Sequence, residues 1–193
     1  WTDGDVPTQM EPFNGDLNSM NEYRGMLGYL PYGLRKKPDK VLCIGPGGGL
    51  DCLLALLGGA QSIEPVEINP AIARVTKKFK RFYGDLYSRP EVKPGLIIDE
   101  GRSYMSRSAH KYDMIYFALA KSATTQQGGM ALVDNYLYTE EAFKAYWNHL
   151  SDRGMLALVM QNPVLVDRCL STAVSALTKQ GVSPAQLADR IAY

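Results

Sequence analysis

The stretch "VLCIGPGGGLDCLLALLGGAQSIEPVEIN", residues 41–69, decides the fold. An apolar run enters a turn with glycine at four of five positions, Gly45 to Gly49, continues into a second apolar run, and reaches a third that ends at Glu67. "KVLCIG" reads as a buried strand, "LDCLLALLGG" as a helix closed by Gly58 and Gly59, and "SIEPVEI" as a second strand, so the unit is βαβ. In an open α/β sheet the ligand lies beyond the carboxyl ends of the strands, and a glycine turn there lets backbone approach it. A dinucleotide fingerprint would need glycine at position 50, which is Leu50. What remains is Gly45, Gly47 and Gly49, a G-x-G-x-G turn. A turn so packed suits a ligand without phosphate, such as an adenosyl amino acid. Glu67 ends the second strand about twenty residues on, where an acid accepts hydrogen bonds from ribose hydroxyls.

The alternation extends outward from this unit. "NPAIARVTKKFKRFYG" opens a helix with Asn69 as cap and Pro70 at the first helical position. "GLIID", "YDMIYFAL" and "GMLALVMQ" read as further strands. "GRSYMSRS", "TEEAFKAYWNHL" capped by Thr139, and "PVLVDRCLSTAVSALTKQ" ended by Gly181 read as helices. Regular βα alternation predicts an α/β domain, a mostly parallel sheet with helices on both faces, over residues 39–193. Residues 1–38 read as an N-terminal lid segment with one helix over 17–34, capped by Asn18 or Ser19. The "DEG" at 99–101 ends the third strand and sets Asp99, Glu100 and Gly101 beside the same crevice, with a carboxylate placed to accept from an adenine amino group. The connection at 120–138 is longer than usual and reads as a functional lid or a disordered segment.

Composition excludes several classes. A chain of 193 residues, 46% hydrophobic, fits one domain with its own core. With 21 Lys and Arg against 20 Asp and Glu, no global field favours nucleic acid or an anionic membrane. Cys43, Cys52 and Cys169 lack the spacing of a disulfide framework or a metal site, which fits a reducing, cytoplasmic setting; no metal is expected, and Cys43 reads as a buried inert thiol. No apolar run reaches the roughly 18 residues of a membrane span. His110 and His149 read as surface or capping residues, and the aromatic group Tyr136, Tyr138, Phe143, Tyr146 and Trp147 reads as core packing or a substrate wall. No nucleophile and base pair is visible, so no catalytic residue is assigned. A start at Trp1 reads as a domain excised from a longer chain.

"VLCIGPGGG", "VEINPAI", "DEGRSYM" and "LYTEEAF", with the opening "TDG" and "NEYRGML", resemble the spermidine synthase-like branch of the class I S-adenosylmethionine-dependent methyltransferase superfamily. The resemblance implies a Rossmann-like fold in which Gly45, Gly47, Gly49, Glu67, Glu100 and Gly101 hold S-adenosylmethionine or its decarboxylated form. It also implies C-terminal truncation, since "GVSPAQLADRIAY" supplies a short helix where two more strands are expected. Such domains are often fused to membrane helices, and a second copy, as a homodimer, is one candidate cover for an exposed strand edge.

The departures bear on the reaction. Two loop acids that the resemblance implies fall on Ala118 and Lys121; a lid glutamine falls on Pro7, with Gln9 two positions late; and a Tyr-His pair reads Tyr23-Arg24. A polyamine arrives cationic, and a carboxylate both anchors it and accepts its proton. Like charges about 4 Å apart cost about 1 kcal/mol in water and roughly 4 at an effective dielectric of 20. Asp134, Asp3, Asp5 and Asp16 are candidate replacement carboxylates, while Arg24 and Lys121, with Tyr23, would line a pocket for a neutral or anionic small-molecule acceptor. Methyl transfer to a small acceptor is therefore expected over polyamine synthesis. Aminopropyl transfer and a non-catalytic adenosyl-nucleoside-binding module are the alternatives.

Overall fold

The computed structural model of the chain describes residues 10–118, 136–160 and 163–188. Five strands, β1 (Lys40–Ile44), β2 (Ser62–Glu67), β3 (Ile97–Ile98), β4 (Tyr112–Ala118) and β5 (Leu150–Val159), form one sheet in the order β3-β2-β1-β4-β5. Every pairing is parallel. Strand order reverses between β1 and β4, which makes the carboxyl ends of those two strands the switch point.

Both faces of the sheet are covered, and alternation along β1 divides the core. Val41 and Cys43 pack with α2 (Leu50–Leu57) and with Tyr32 of α1 (Leu30–Leu34). Leu42 and Ile44 face the other way, toward Met105 of α4 (Gly101–Arg107), Phe143 and Tyr146 of α5 (Glu140–His149) and Cys169 of α6 (Pro163–Lys179). α2 is buried from Asp51 to Leu57, because Phe13 and Met20 of the N-terminal segment cover the side that the sheet leaves open. α3 (Pro70–Lys78) is capped by Asn69, whose side chain accepts from Ala71 N, and α5 is capped by Thr139, as the sequence predicts. A short α7 (Pro184–Ala188) follows α6. No helix of the described residues is long and apolar enough to cross a membrane.

Three elements differ from the sequence reading. The single helix expected over 17–34 is instead two 3-10 segments, Leu17–Gly25 and Leu27–Tyr29, followed by α1. Gly25, Gly28, Pro31 and Gly33 interrupt what the apolar spacing suggested, and each disfavours a continuous helix. The cap is Asp16, which accepts from Asn18 N at 2.9 Å, so neither Asn18 nor Ser19 serves and Asp16 is committed to the turn.

β3 shrinks to two residues. Pro65 has no N–H for the ladder, and pairing on that side of β2 is split around it: Ile63 bridges to Val92, then Val66 and Glu67 pair with Ile97 and Ile98. β5 starts earlier than expected. Tyr112 faces Leu150 and Met114 faces Met155, so β5 carries three more residues than β4 over that step, and Gly154 fits where a Cβ would lie 2.7 Å from Tyr112 O.

Buried polar groups at the amino ends of the strands fix the sheet. Glu64, 4% exposed, accepts from Tyr112 Oη at 2.7 Å, Lys40 Nζ at 3.0 Å and Tyr104 Oη at 3.1 Å, and pairs with His110 at 2.9 Å. Burial pushes its carboxyl up, but the Tyr112 and Lys40 bonds outweigh that and hold it below the ordinary range. His149, at the end of α5, bonds the carbonyls of Ala145 and Ser108, and both histidines are thereby structural. Cys43, Cys52 and Cys169 are free and buried.

Candidate functional site

The turn between β1 and α2 is shaped by hydrogen bonds at each end. Gly45 N donates to Val66 O and Gly49 N donates to Pro46 O, each at 2.8 Å. Gly49 is the N-cap of α2 at φ +102°, and a Cβ there would lie 2.6 Å from Leu86 Cδ2. The position requires glycine for both conformation and space. Gly49→Ala is expected to lower unfolding free energy by about 2 kcal/mol. A urea titration checks this, and an unchanged midpoint would mean that the turn relaxes freely around the methyl. The floor of the turn is a 3-10 segment, Leu86–Ser88, whose Tyr87 Oη donates to Gly47 O at 2.9 Å.

Glu67, 6% exposed, spans the two adjacent turns: one carboxylate oxygen accepts from Gly47 N at 3.1 Å and the other from Asn69 N at 2.9 Å. Its backbone carbonyl accepts from Asp99 N at 3.1 Å, which brings the end of β3 alongside. Asp99 accepts from Glu100 N at 2.8 Å and pairs with Arg107. Glu100 caps α4 by accepting from Arg102 N at 2.9 Å and Ser103 N at 2.8 Å. Gly101 sits where a Cβ would lie 2.5 Å from Ile44 Cγ2, which packs α4 directly onto β1. Gly45, Gly47, Gly49, Glu67, Asp99, Glu100 and Gly101 thus gather at the carboxyl ends of three neighbouring strands. Each of the three acids also serves the backbone or a neighbouring side chain around it.

The expected acceptor side is placed differently. Tyr23 Oη donates to Glu11 at 2.8 Å, and this bond, with burial, pushes the phenol up to about 12. Arg24 is exposed, bonds Asn21 at 3.1 Å and Tyr29 Oη, and stacks over the Tyr29 ring. Both polar groups are therefore taken up within the N-terminal segment. Lys121, Asp134, Asp3, Asp5, Pro7, Gln9 and most of the long 120–138 connection lie outside the described residues. A surface groove of about 480 Å³ lined by Phe13, Ser19, Tyr23, Arg81 and Phe82 contains none of the strand-end residues. No cluster of three metal-ligating side chains occurs among the described residues. Phe143 and Tyr146 are core residues, while Tyr136 is exposed.

One acid at the switch point escapes a reading by motif. Asp51, in the first turn of α2, is 7% exposed and hydrogen-bonded by the backbone of Ala118, the last residue of β4. Burial pushes its carboxyl up to about 8, against the lowering effect of the Ala118 bond. The signal was present in "LDCLLALL", where one acid interrupts an apolar helix that follows the glycine turn.

The model of the spermine/spermidine synthase domain family matches residues 20–187. A Thermoplasma volcanium protein named polyamine aminopropyltransferase is 26% identical over 159 residues, covering 81% of this chain and 54% of its own. The chain spans about half the length of the curated relatives it matches. Among solved structures, a spermidine synthase in complex with the transition-state analogue AdoDATO aligns with TM-score 0.57 and 21% identity over 81% of this chain and 49% of its own. Human methyltransferase-like protein 13 in complex with SAH aligns with TM-score 0.56 and 19% identity, over 82% and 72%. The fold is the Rossmann-like class I methyltransferase fold, and its shape is shared by both chemistries.

The family and the sequence relatives nevertheless overturn the expectation of methyl transfer and favour aminopropyl transfer. That expectation rested on the missing acids at Ala118 and Lys121. A carboxylate nevertheless stands beside the first of those positions, since the backbone of Ala118 bonds Asp51.

Proposed function

Because the chain belongs to the spermine/spermidine synthase domain family, we propose that it binds decarboxylated S-adenosylmethionine and transfers its aminopropyl group to a small amine. The match over residues 20–187 carries this reading. The glycine turn, Glu67 and the 99–101 turn support it, because they meet at adjacent strand ends where an adenosyl group has backbone to approach and carboxylates to bond. In this reading Glu67 accepts from the ribose hydroxyls, and Asp99 and Glu100 flank the adenine.

The chemistry asks mainly for alignment. The lone pair of a neutral amine attacks the carbon bonded to the sulfonium, the C–S bond breaks with its electron pair going to sulfur, and a neutral thioether nucleoside leaves. The new N–C bond leaves an ammonium that gives its proton to a nearby base or to water. The sulfonium is already a good leaving group, so in-line positioning supplies most of the acceleration.

The test is incubation of the protein with decarboxylated S-adenosylmethionine and a panel of mono- and diamines, followed by mass spectrometry. Aminopropylated amine and methylthioadenosine are expected in equal amounts. Binding of the nucleoside without product from any amine would leave a nucleoside-binding module instead.

A further inference from the structure

A sulfonium nucleoside that carries an ammonium tail brings two positive charges into a closed crevice, and a site that accepts it needs an anion with spare capacity. The buried acids among the described residues are Asp51, Glu64 and Glu67. Glu64 is saturated by Tyr112, Lys40, Tyr104 and His110 at the amino ends of the strands. Glu67 ties one oxygen to each of two backbone amides, and its remaining lone pairs go to the ribose hydroxyls in the reading above. Asp51 stands at the switch point between β1 and β4, where the backbone of Ala118 bonds it.

The titratable groups close enough to feel the charge of Asp51 come from four other elements: Tyr32 from α1, Cys43 from β1, Tyr116 from β4 and Tyr87 from the 3-10 segment below the glycine turn. Burial raises all three phenols, and the bond to Cys52 together with burial raises the Cys43 thiol, so each is neutral between pH 6 and 8. Glu67 also acts on Tyr87 and raises its phenol further. None of these neighbours supplies a positive charge.

Resting on the aminopropyl-transfer reading, we propose that Asp51, in the first turn of α2 beside the end of β4, is the binding residue for the ammonium of the aminopropyl group. Burial holds Asp51 largely protonated at neutral pH, its carboxyl pushed up to about 8. A cation that docks against it restores the carboxylate and expels the proton to solvent. Binding is therefore proton-linked, and the linkage belongs to the tail of the ligand and not to its nucleoside.

Calorimetric titration from pH 6 to 8, in buffers of different ionisation enthalpy, tests this with two probes. Decarboxylated S-adenosylmethionine carries the ammonium; methylthioadenosine is the same nucleoside without tail or charge. The Kd of the first is expected to fall by up to about 100-fold over that range, with close to one proton released per ligand at pH 6 to 7. The Kd of the second is expected to stay level. In Asp51→Asn the slope for the first probe is expected to vanish. Equal pH dependence for the two probes, or a slope that persists in Asp51→Asn, overturns the assignment of Asp51 alone. Failure of both probes to bind wild-type protein overturns the transferase reading and this role together.

Discussion

Asp51→Asn is expected to be more stable than the parent protein at pH 8 by on the order of 3 kcal/mol, with the two converging near pH 5. The carboxyl is pushed from an ordinary 3.8 to about 8 by burial, so the folded chain holds a proton that the unfolded chain releases. Between those values unfolding releases that proton, and stability falls as pH rises, by at most about 1.4 kcal/mol per pH unit. Asparagine has the same shape and no proton to lose. Its amide must place two N–H groups where the protonated carboxyl places one O–H, which offsets part of the gain. Urea unfolding at pH 5, 6.5 and 8 measures the difference. An advantage that does not grow with pH would mean that the carboxyl titrates in its ordinary range. Such a residue lowers the stability of the fold, a cost that binding a cation would offset.

Glu67→Ala is expected to weaken nucleoside binding by about 100-fold and to lower stability by about 2 kcal/mol. The two losses have separate origins. Hydrogen bonds to a charged acceptor contribute about 1.5–3 kcal/mol each, and the ribose hydroxyls would lose theirs. Gly47 N and Asn69 N also lose the oxygens that now hold the glycine turn to the start of α3. Glu67→Gln separates the effects, because it keeps one acceptor oxygen and sets an NH2 against one of the two amides. Titration with methylthioadenosine at pH 8, beside thermal melts of all three proteins, reads both. A folded Glu67→Ala protein that binds the nucleoside with parental affinity would reduce Glu67 to a structural tie between turns.

The sheet was legible because β1, β2 and β4 are short apolar runs closed by turn residues, and their alternation with helical segments dictates parallel pairing. The cradle was legible for a related reason: glycines and a strand-end acid leave a mark in sequence whatever packs around them. The N-terminal segment was not legible as it stands, because apolar spacing hides the poor helix formers Gly25, Gly28 and Gly33, and the chain turns extended at Met26 between short helical pieces. The length of β3 is not legible from its own residues, because Pro65 of the neighbouring strand sets it by denying the ladder an N–H. Asp51 was passed over because nothing local sets its burial. Tyr32, Tyr87 and Tyr116, the groups that surround it, come from parts of the chain far from residue 51.

The 3-10 segment beneath the cradle has a consequence for ancestry. Leu86 fills the space that a side chain at 49 would need, and Tyr87 holds the carbonyl of Gly47, so residues nearly forty positions apart form one wall. They should be inherited as a unit. A lineage that trimmed Leu86 would open room at 49, and one that lost the hydroxyl of Tyr87 would release Gly47, so substitutions in either stretch are expected to be answered in the other. The glycines that mark the cradle in the sequence are thus kept in part by residues that no motif includes.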